Sequence, residues 1–283
     1  MEYLLKHSSG ILLFDFFGII VAVSLLECVI PMRGATDLLK LRWLSNIGLA
    51  IVNFVLIRLL FPTLGIGVAM ISNQRGWGLL SRLHLPLWAE FLIAFIVLDL
   101  TEYAQHYMLH RLPFLWRIHR AHHTDQDFDF STGFRFHPIE ASLTTFTNLL
   151  AIAVLGPRPI VALIYQFVNI AQSFLEHGNF RIPVRVERAM RFGFVTPVMH
   201  RIHHSSELQE AFSNYSSLFS WWDRLFNTYC NEPNVCTEEM NFGVAEFQDR
   251  KHQTLPWIMA LPILREDDYR APVLQEQTRN TQT

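Results

Sequence analysis

Residues 11–30, ILLFDFFGIIVAVSLLECVI, are apolar apart from Asp15, Ser24, Glu27 and Cys28. A run of that length can cross a bilayer as a helix, and such runs recur along the chain. Residues 44–61 form a second, with Arg58 near its far end, where a long side chain can snorkel to the interface. Pro62 then interrupts a further apolar stretch, 64–72. Residues 87–105 form a third run that turns polar toward its C-terminal end. Runs 142–155 and 160–175, separated by GPRP, are each short for a crossing and read as a helical hairpin that dips in and returns. The chain is 51% hydrophobic and 17% charged, too apolar for an ordinary soluble protein. The expected fold class is therefore all-α, an integral membrane helical bundle. Residues 1–86 form an N-terminal transmembrane region and 87–265 a second region that includes the hairpin 142–175. Residues 266–283 form a polar C-terminal tail.

Charge gives a weaker constraint. The net charge of −2 supplies no electrostatic reason to expect nucleic acid as a partner. Loop 31–42 carries Arg33, Lys40 and Arg42, and the segment after the third run carries Arg111, Arg117 and Arg120, whereas loop 73–86 has Arg75 and Arg82. By the positive-inside tendency, the first loop and the segment beyond residue 105 face the cytoplasm. Cys28, Cys230 and Cys236 contain no CxxC pair and form neither a disulfide framework nor a cysteine zinc site.

Histidine is the chemical anomaly: ten of the thirteen lie between His106 and His204. They cluster as HYMLH (106–110), HRAHH (119–123) and HRIHH (200–204). On a helix, residues at i, i+3 and i+4 share a face, so each cluster presents a row of imidazoles in one direction. Pro113 places the first two clusters on different elements. Folding the chain back across the hairpin brings the third cluster to them. Eight buried imidazoles without metal would each need desolvation and a hydrogen-bond partner, so the clusters point to metal. They are too many for one tetrahedral ion. There is no HExxH for a metalloprotease, and no ExxH pair of the kind found in soluble di-iron bundles. Imidazole suits Zn, Cu, Fe and Ni. Redox iron is the most useful occupant beside a membrane, and zinc can replace it in purified samples.

Six stretches together resemble the fatty acid hydroxylase / sterol desaturase superfamily: DLTEYAQHYMLHR (99–111), WRIHRAHHTD (116–125), RFHPIE (135–140), EHGNFRIP (176–183), TPVMHRIHHS (196–205) and WDRLFNTY (222–229). The resemblance runs from about Asp99 to Tyr229. It implies an integral-membrane di-iron oxidoreductase that uses O2 to hydroxylate or desaturate a fatty-acyl, sterol or related lipid. It implies that a helical cap on the cytoplasmic side carries the dinuclear site. It also implies that His106, His110, His119, His122, His123, His200, His203 and His204 are ligands, with His177 a further one. His137 matches another recurrent position, where a ligand, a group behind the ligands or a helix cap is expected. Ser216 and Asn227 depart from the family's wording, which favours glycine at both.

Asp99, Glu102, His106 and His110 fall on one helical face, so Asp99 and Glu102 are expected to accept the free N–H of ligand imidazoles. Asp223 and Arg224 are expected to form a structural ion pair. No HPGG-type haem motif occurs, so electrons are expected from a separate cytochrome b5-like or ferredoxin-like protein. Two alternatives remain open at this point. One is a zinc-dependent membrane hydrolase with Glu176 or Glu140 as base, and the other is a membrane protein that binds metal or lipid without turnover.

Overall fold

The computed structural model describes residues 2–264, and the polar tail from 266 lies outside the described residues. All the regular elements among the described residues are helices. A short α1 (Glu2–Lys6) leads into α2 (Ser8–Val29), followed by α3 (Leu39–Leu60), α4 (Gly65–Gln74), α5 (Leu79–Leu83) and α6 (Leu87–Arg111). Then come α7 (Pro113–His123), α8 (Pro138–Leu155), α9 (Pro159–Glu176), α10 (Val184–Met190) and α11 (Pro197–His203).

Four of these helices start on proline at the first helical position: Pro113, Pro138, Pro159 and Pro197. The missing N–H costs nothing there, and the fixed φ suits a helix start. The first and second histidine clusters accordingly lie on α6 and α7, divided at Leu112–Pro113. Thr196 caps α11 by accepting from Met199 N, and His137 caps α8 by accepting from Ile139 N.

Three stretches among the described residues are long and apolar enough to cross a membrane: Ser8–Val29, Leu39–Leu83 and Pro138–Leu155. The first two bury only 11% of their most apolar window inside the protein, so most of that surface is left for lipid. The run at 87–105 is helical but is not among the three. Its helix, α6, instead turns buried Glu90 and Asp99 inward, with Glu90 paired to Arg158 at 2.5 Å. The run at 142–155 belongs to an 18-residue helix that is long enough to cross, and α4 packs against both α8 and α9. The turn between those two helices is tight. Gly156 has φ +60°, and a Cβ there would sit 2.5 Å from Trp77 O, so only glycine fits.

The core between α4, α6, α8 and α9 is built from Ala69, Ala94, Leu98, Ile152, Val161 and Tyr165. A second junction ties α3 to the segment after α7. Arg42 is fully buried and pairs with Asp125 and, at 2.7 Å, with Asp129. Asn46 adds bonds to Asp125 (3.2 Å) and Ser131 (3.0 Å). Burial alone would raise the Asp125 carboxyl, but Arg42 and Arg135 outweigh it and hold the pKa below the ordinary value. Arg120, likewise counted above as a loop charge, is buried and donates to the Leu261 and Leu264 carbonyls. Both cations are therefore internal in the folded molecule.

Candidate metal centre

Nine histidines converge. His106 and His110 come from α6; His119, His122 and His123 from α7; His177 from the C-cap of α9; His200, His203 and His204 from α11 and its C-cap. They form two groups, each with one ligand-capable atom per residue lying within 4.8 Å of all the others in its group. The first holds His106, His110, His119, His123 and His203, and the second His122, His177, His200 and His204. The HxxHH spacing explains the division: His119 and His123, one turn apart, join one group, while His122 points to the other.

The protonation pattern of the rings is set from behind. His106 Nδ1–H donates to Tyr215 O at 2.9 Å, and His203 Nδ1–H to Ser213 O at 2.7 Å. His177 Nδ1–H donates to Ser173 O and His119 Nδ1–H to Glu140 Oε1, both at 2.6 Å. Carbonyl and carboxylate oxygens only accept, so these four rings carry their proton on Nδ1 and present a lone pair on Nε2. Nε2 atoms of His119 and His123 approach to 3.2 Å, those of His122 and His177 to 3.2 Å, and those of His177 and His200 to 3.0 Å. Two nitrogens each about 2.0–2.1 Å from a shared ion stand roughly 3 Å apart.

The remaining nitrogens strengthen the case. His106 Nε2, both nitrogens of His110, His122 Nδ1, His200 Nδ1, His203 Nε2 and His204 Nε2 are buried without a hydrogen-bond partner. Each such group costs about 1–3 kcal/mol. An ion takes one nitrogen of a ring, so His106, His110, His203 and His204 can be relieved in this way, at about 4–12 kcal/mol together, comparable with the whole stability of a domain. Burial and the crowding of neighbouring imidazoles push His122, His123, His200 and His204 well below the ordinary histidine value, and burial takes His203 down to about 3. The rings are therefore neutral at physiological pH, the form that binds metal. Donor type, grouping and protonation all fit a pair of ions held by imidazole.

The remaining expected residues lie elsewhere. His137 belongs to neither group; besides capping α8 it bonds Met259 O at 3.2 Å. Asp99 does not accept from an imidazole. It holds the 218–222 segment through Leu218 N (3.0 Å), Phe219 N (3.1 Å) and Trp222 Nε1 (2.8 Å). Asp223 forms no pair with Arg224. It accepts from Tyr215 N, Ser216 N and the Thr228 hydroxyl, while Arg224 bonds the carbonyls of Ser220 and Arg191. Together the two aspartates fix the loop whose Ser213 and Tyr215 carbonyls orient His203 and His106. Glu102 accepts from Asn148 and Asn169 rather than from histidine. The carboxylate that does hold a ring is Glu140, which the RFHPIE motif placed three residues beyond His137 without revealing its partner. Asn227 takes φ +57°, the conformation that explains why glycine suits this position.

A cavity of about 530 Å³ reaches these histidines. Its lining runs from Phe16, Phe54, Ile57 and Leu64, on or beside the apolar stretches, to His106, His119, His122, His177 and His200.

Residues 91–228 match the family model described as Fatty acid hydroxylase. The chain is 28% identical over 144 residues to cholesterol 25-hydroxylase of Rattus norvegicus, covering 50% of this chain and 47% of that protein. It is 28% identical over 132 residues to alkylglycerol monooxygenase of Caenorhabditis elegans, 46% of this chain and 25% of that protein. It is 28% identical over 156 residues to an ornithine lipid hydroxylase of Rhizobium tropici, 55% of this chain and 46% of that protein. The matches thus span about half the length of these relatives, or less. No solved structure gives a significant match.

Proposed function

Since residues 91–228 belong to the fatty acid hydroxylase family, we propose that this protein is a membrane-embedded, O2-dependent di-iron enzyme that hydroxylates a C–H bond of a lipid. The observation that carries the proposal is the convergence of nine imidazoles, eight of them buried, in two groups at a cavity lined by the apolar helices. His106, His110, His119, His123 and His203 would hold one iron, and His122, His177, His200 and His204 the other. Bound there, the two ions would supply O2 activation. One oxygen atom enters the C–H bond, and the other leaves as water with two electrons and two protons. The named relatives are hydroxylases and a monooxygenase, which favours the alcohol over the alkene as product.

The chain's own part is positioning. Glu140 and the carbonyls of Tyr215, Ser213 and Ser173 fix the ring orientations. The cavity wall formed by Phe16, Phe54, Ile57 and Phe134 accepts an apolar chain and keeps water from the reacting carbon. A separate cytochrome b5-like or ferredoxin-like protein delivers the electrons. The histidines face the cytoplasm, in the plasma membrane of a bacterium or the endoplasmic reticulum of a eukaryote.

Lipid profiles of cells with and without the gene, together with metal analysis of protein purified anaerobically with Fe(II), test this proposal. A hydroxylated lipid lost with the gene and an iron-loaded protein are expected. Zinc-loaded protein that hydrolyses a lipid and consumes no O2 would establish the hydrolase alternative instead. Iron or zinc bound without any turnover would establish a binding protein.

A further inference from the structure

The end of the cavity beside the histidines is polar and acidic. Glu102, Glu140 and Glu176 all line it, and Arg58, exposed on α3, is the one arginine or lysine among the lining residues. Glu140 is engaged with His119, but the other two carboxylates are not engaged with the metal ligands' rings by hydrogen bonds.

The surroundings of Glu102 fix its role as an acceptor. The Thr147 hydroxyl donates to Gln105 Oε1 at 2.5 Å, and Gln105 Nε2 donates to Asn148 Oδ1 at 2.7 Å. That relay turns the Asn148 amide so that its Nδ2 donates to Glu102 Oε1 at 3.3 Å, while Asn169 Nδ2 donates to Oε2 at 3.0 Å. The buried Tyr165 hydroxyl is a further donor to this carboxylate, and of its roughly four acceptor sites at least one remains for a ligand. Glu176 gives a second, independent sign: it is 5% exposed, and its Oε2 is buried without any partner. A buried carboxylate oxygen left unpaired is costly, and a hydrogen-bond donor on the ligand removes that cost.

From this arrangement we infer that Glu102 and Glu176 recognise a hydroxyl or ammonium group on the lipid, so that oxidation falls on a carbon near its polar end and not in mid-chain. The inference rests on the hydroxylase proposal for the word oxidation, but the recognition itself does not. An apolar tail lies along Phe16, Phe54 and Ile57, and the donor group sits between the two carboxylates. A ligand with a carboxylate head is disfavoured there, because it brings acceptor oxygens and no donor to groups that themselves accept.

The experiment measures binding of hexadecylamine, hexadecanol and palmitate to detergent-solubilised, metal-loaded full-length protein by native mass spectrometry. Metal content is read in the same spectra. The amine and the alcohol are expected to bind at least about tenfold more tightly than palmitate, since a site built for a donor rejects an analogue lacking it. Glu102→Gln and Glu176→Gln should each shrink that preference severalfold while metal content stays at the wild-type value. Glu238→Gln, at an exposed carboxylate paired with Arg181, should leave it unchanged. Palmitate binding as tightly as the amine, or a preference untouched in both cavity variants, would overturn the inference. O2 consumption with lipid is followed separately. Donor selectivity without O2 consumption supports the site and defeats the hydroxylase proposal, whereas turnover without donor selectivity does the reverse.

Discussion

Glu140 and His137 stand three residues apart in one motif, yet they act on different things. Glu140 accepts the Nδ1 proton of His119, so Glu140→Ala frees that ring to rotate and lowers its basicity. Metal affinity or activity should fall by about 10–100-fold, measured by metal analysis and lipid turnover. His137 caps α8, so His137→Ala should cost about 1 kcal/mol of stability, seen as a lower melting temperature at unchanged metal content. His203→Ala removes a ring that lies in the first group and should abolish turnover, while a well-folded variant with full activity would defeat the proposed site. The histidines were legible in the sequence because spacing alone places them on helical faces. The acceptors behind them were not. Three of the four are backbone carbonyls, which every residue has, and the fourth is a carboxylate 21 residues from its ring. Asp99 misled for the same reason: it shares a helical face with His106 but meets a loop more than a hundred residues further on.

Elements show a similar division. Apolar length and proline position gave α2, α3, α8 and α9, because those signals are local. The inward use of α6 was hidden, since Glu90 finds Arg158 and Asp99 finds Trp222 only after the chain has folded. The junction of α3 with the segment after α7 rests on Arg42. Arg42→Ala strands Asp125 and Asp129 in the interior and should destabilise the protein by about 3–5 kcal/mol, read from thermal unfolding in detergent. Removing Asp125 as well should recover part of that loss, because the pair is then absent as a pair. At the crossing of the α4–α5 connection with the end of α8, Gly156→Ala should lower stability by at least ~1–3 kcal/mol through its left-handed backbone.

For the molecule as a whole, pH acts through the buried rings. In the metal-free chain His203 titrates at about 3, against 6.5 for an ordinary histidine. Between those values the unfolded chain binds the proton and the folded one does not. Stability is therefore complete above 6.5, and falls toward acid by about 1.4 kcal/mol per pH unit for each such ring. Denaturation of metal-stripped protein across this range checks the sign. A midpoint that rose on acidification would show that the rings are not buried together. Orientation is checked by a single cysteine at exposed Gln209, with the native cysteines replaced. It should resist impermeant reagents in intact cells, and labelling from outside would invert the assignment.

The bond from Arg42 to Asp125 spans 83 residues of chain. At the usual rate of synthesis its two halves leave the ribosome roughly 4–17 s apart. Throughout that interval the guanidinium at the start of α3 lacks the two carboxylates that hold it in the folded molecule. It can therefore help to anchor the first loop on the side where translation occurs, and afterwards be withdrawn from the surface altogether. On the proposed orientation, a charge that favours the cytoplasmic side during insertion and a charge that ties α3 to the segment after α7 are one side chain used at two times.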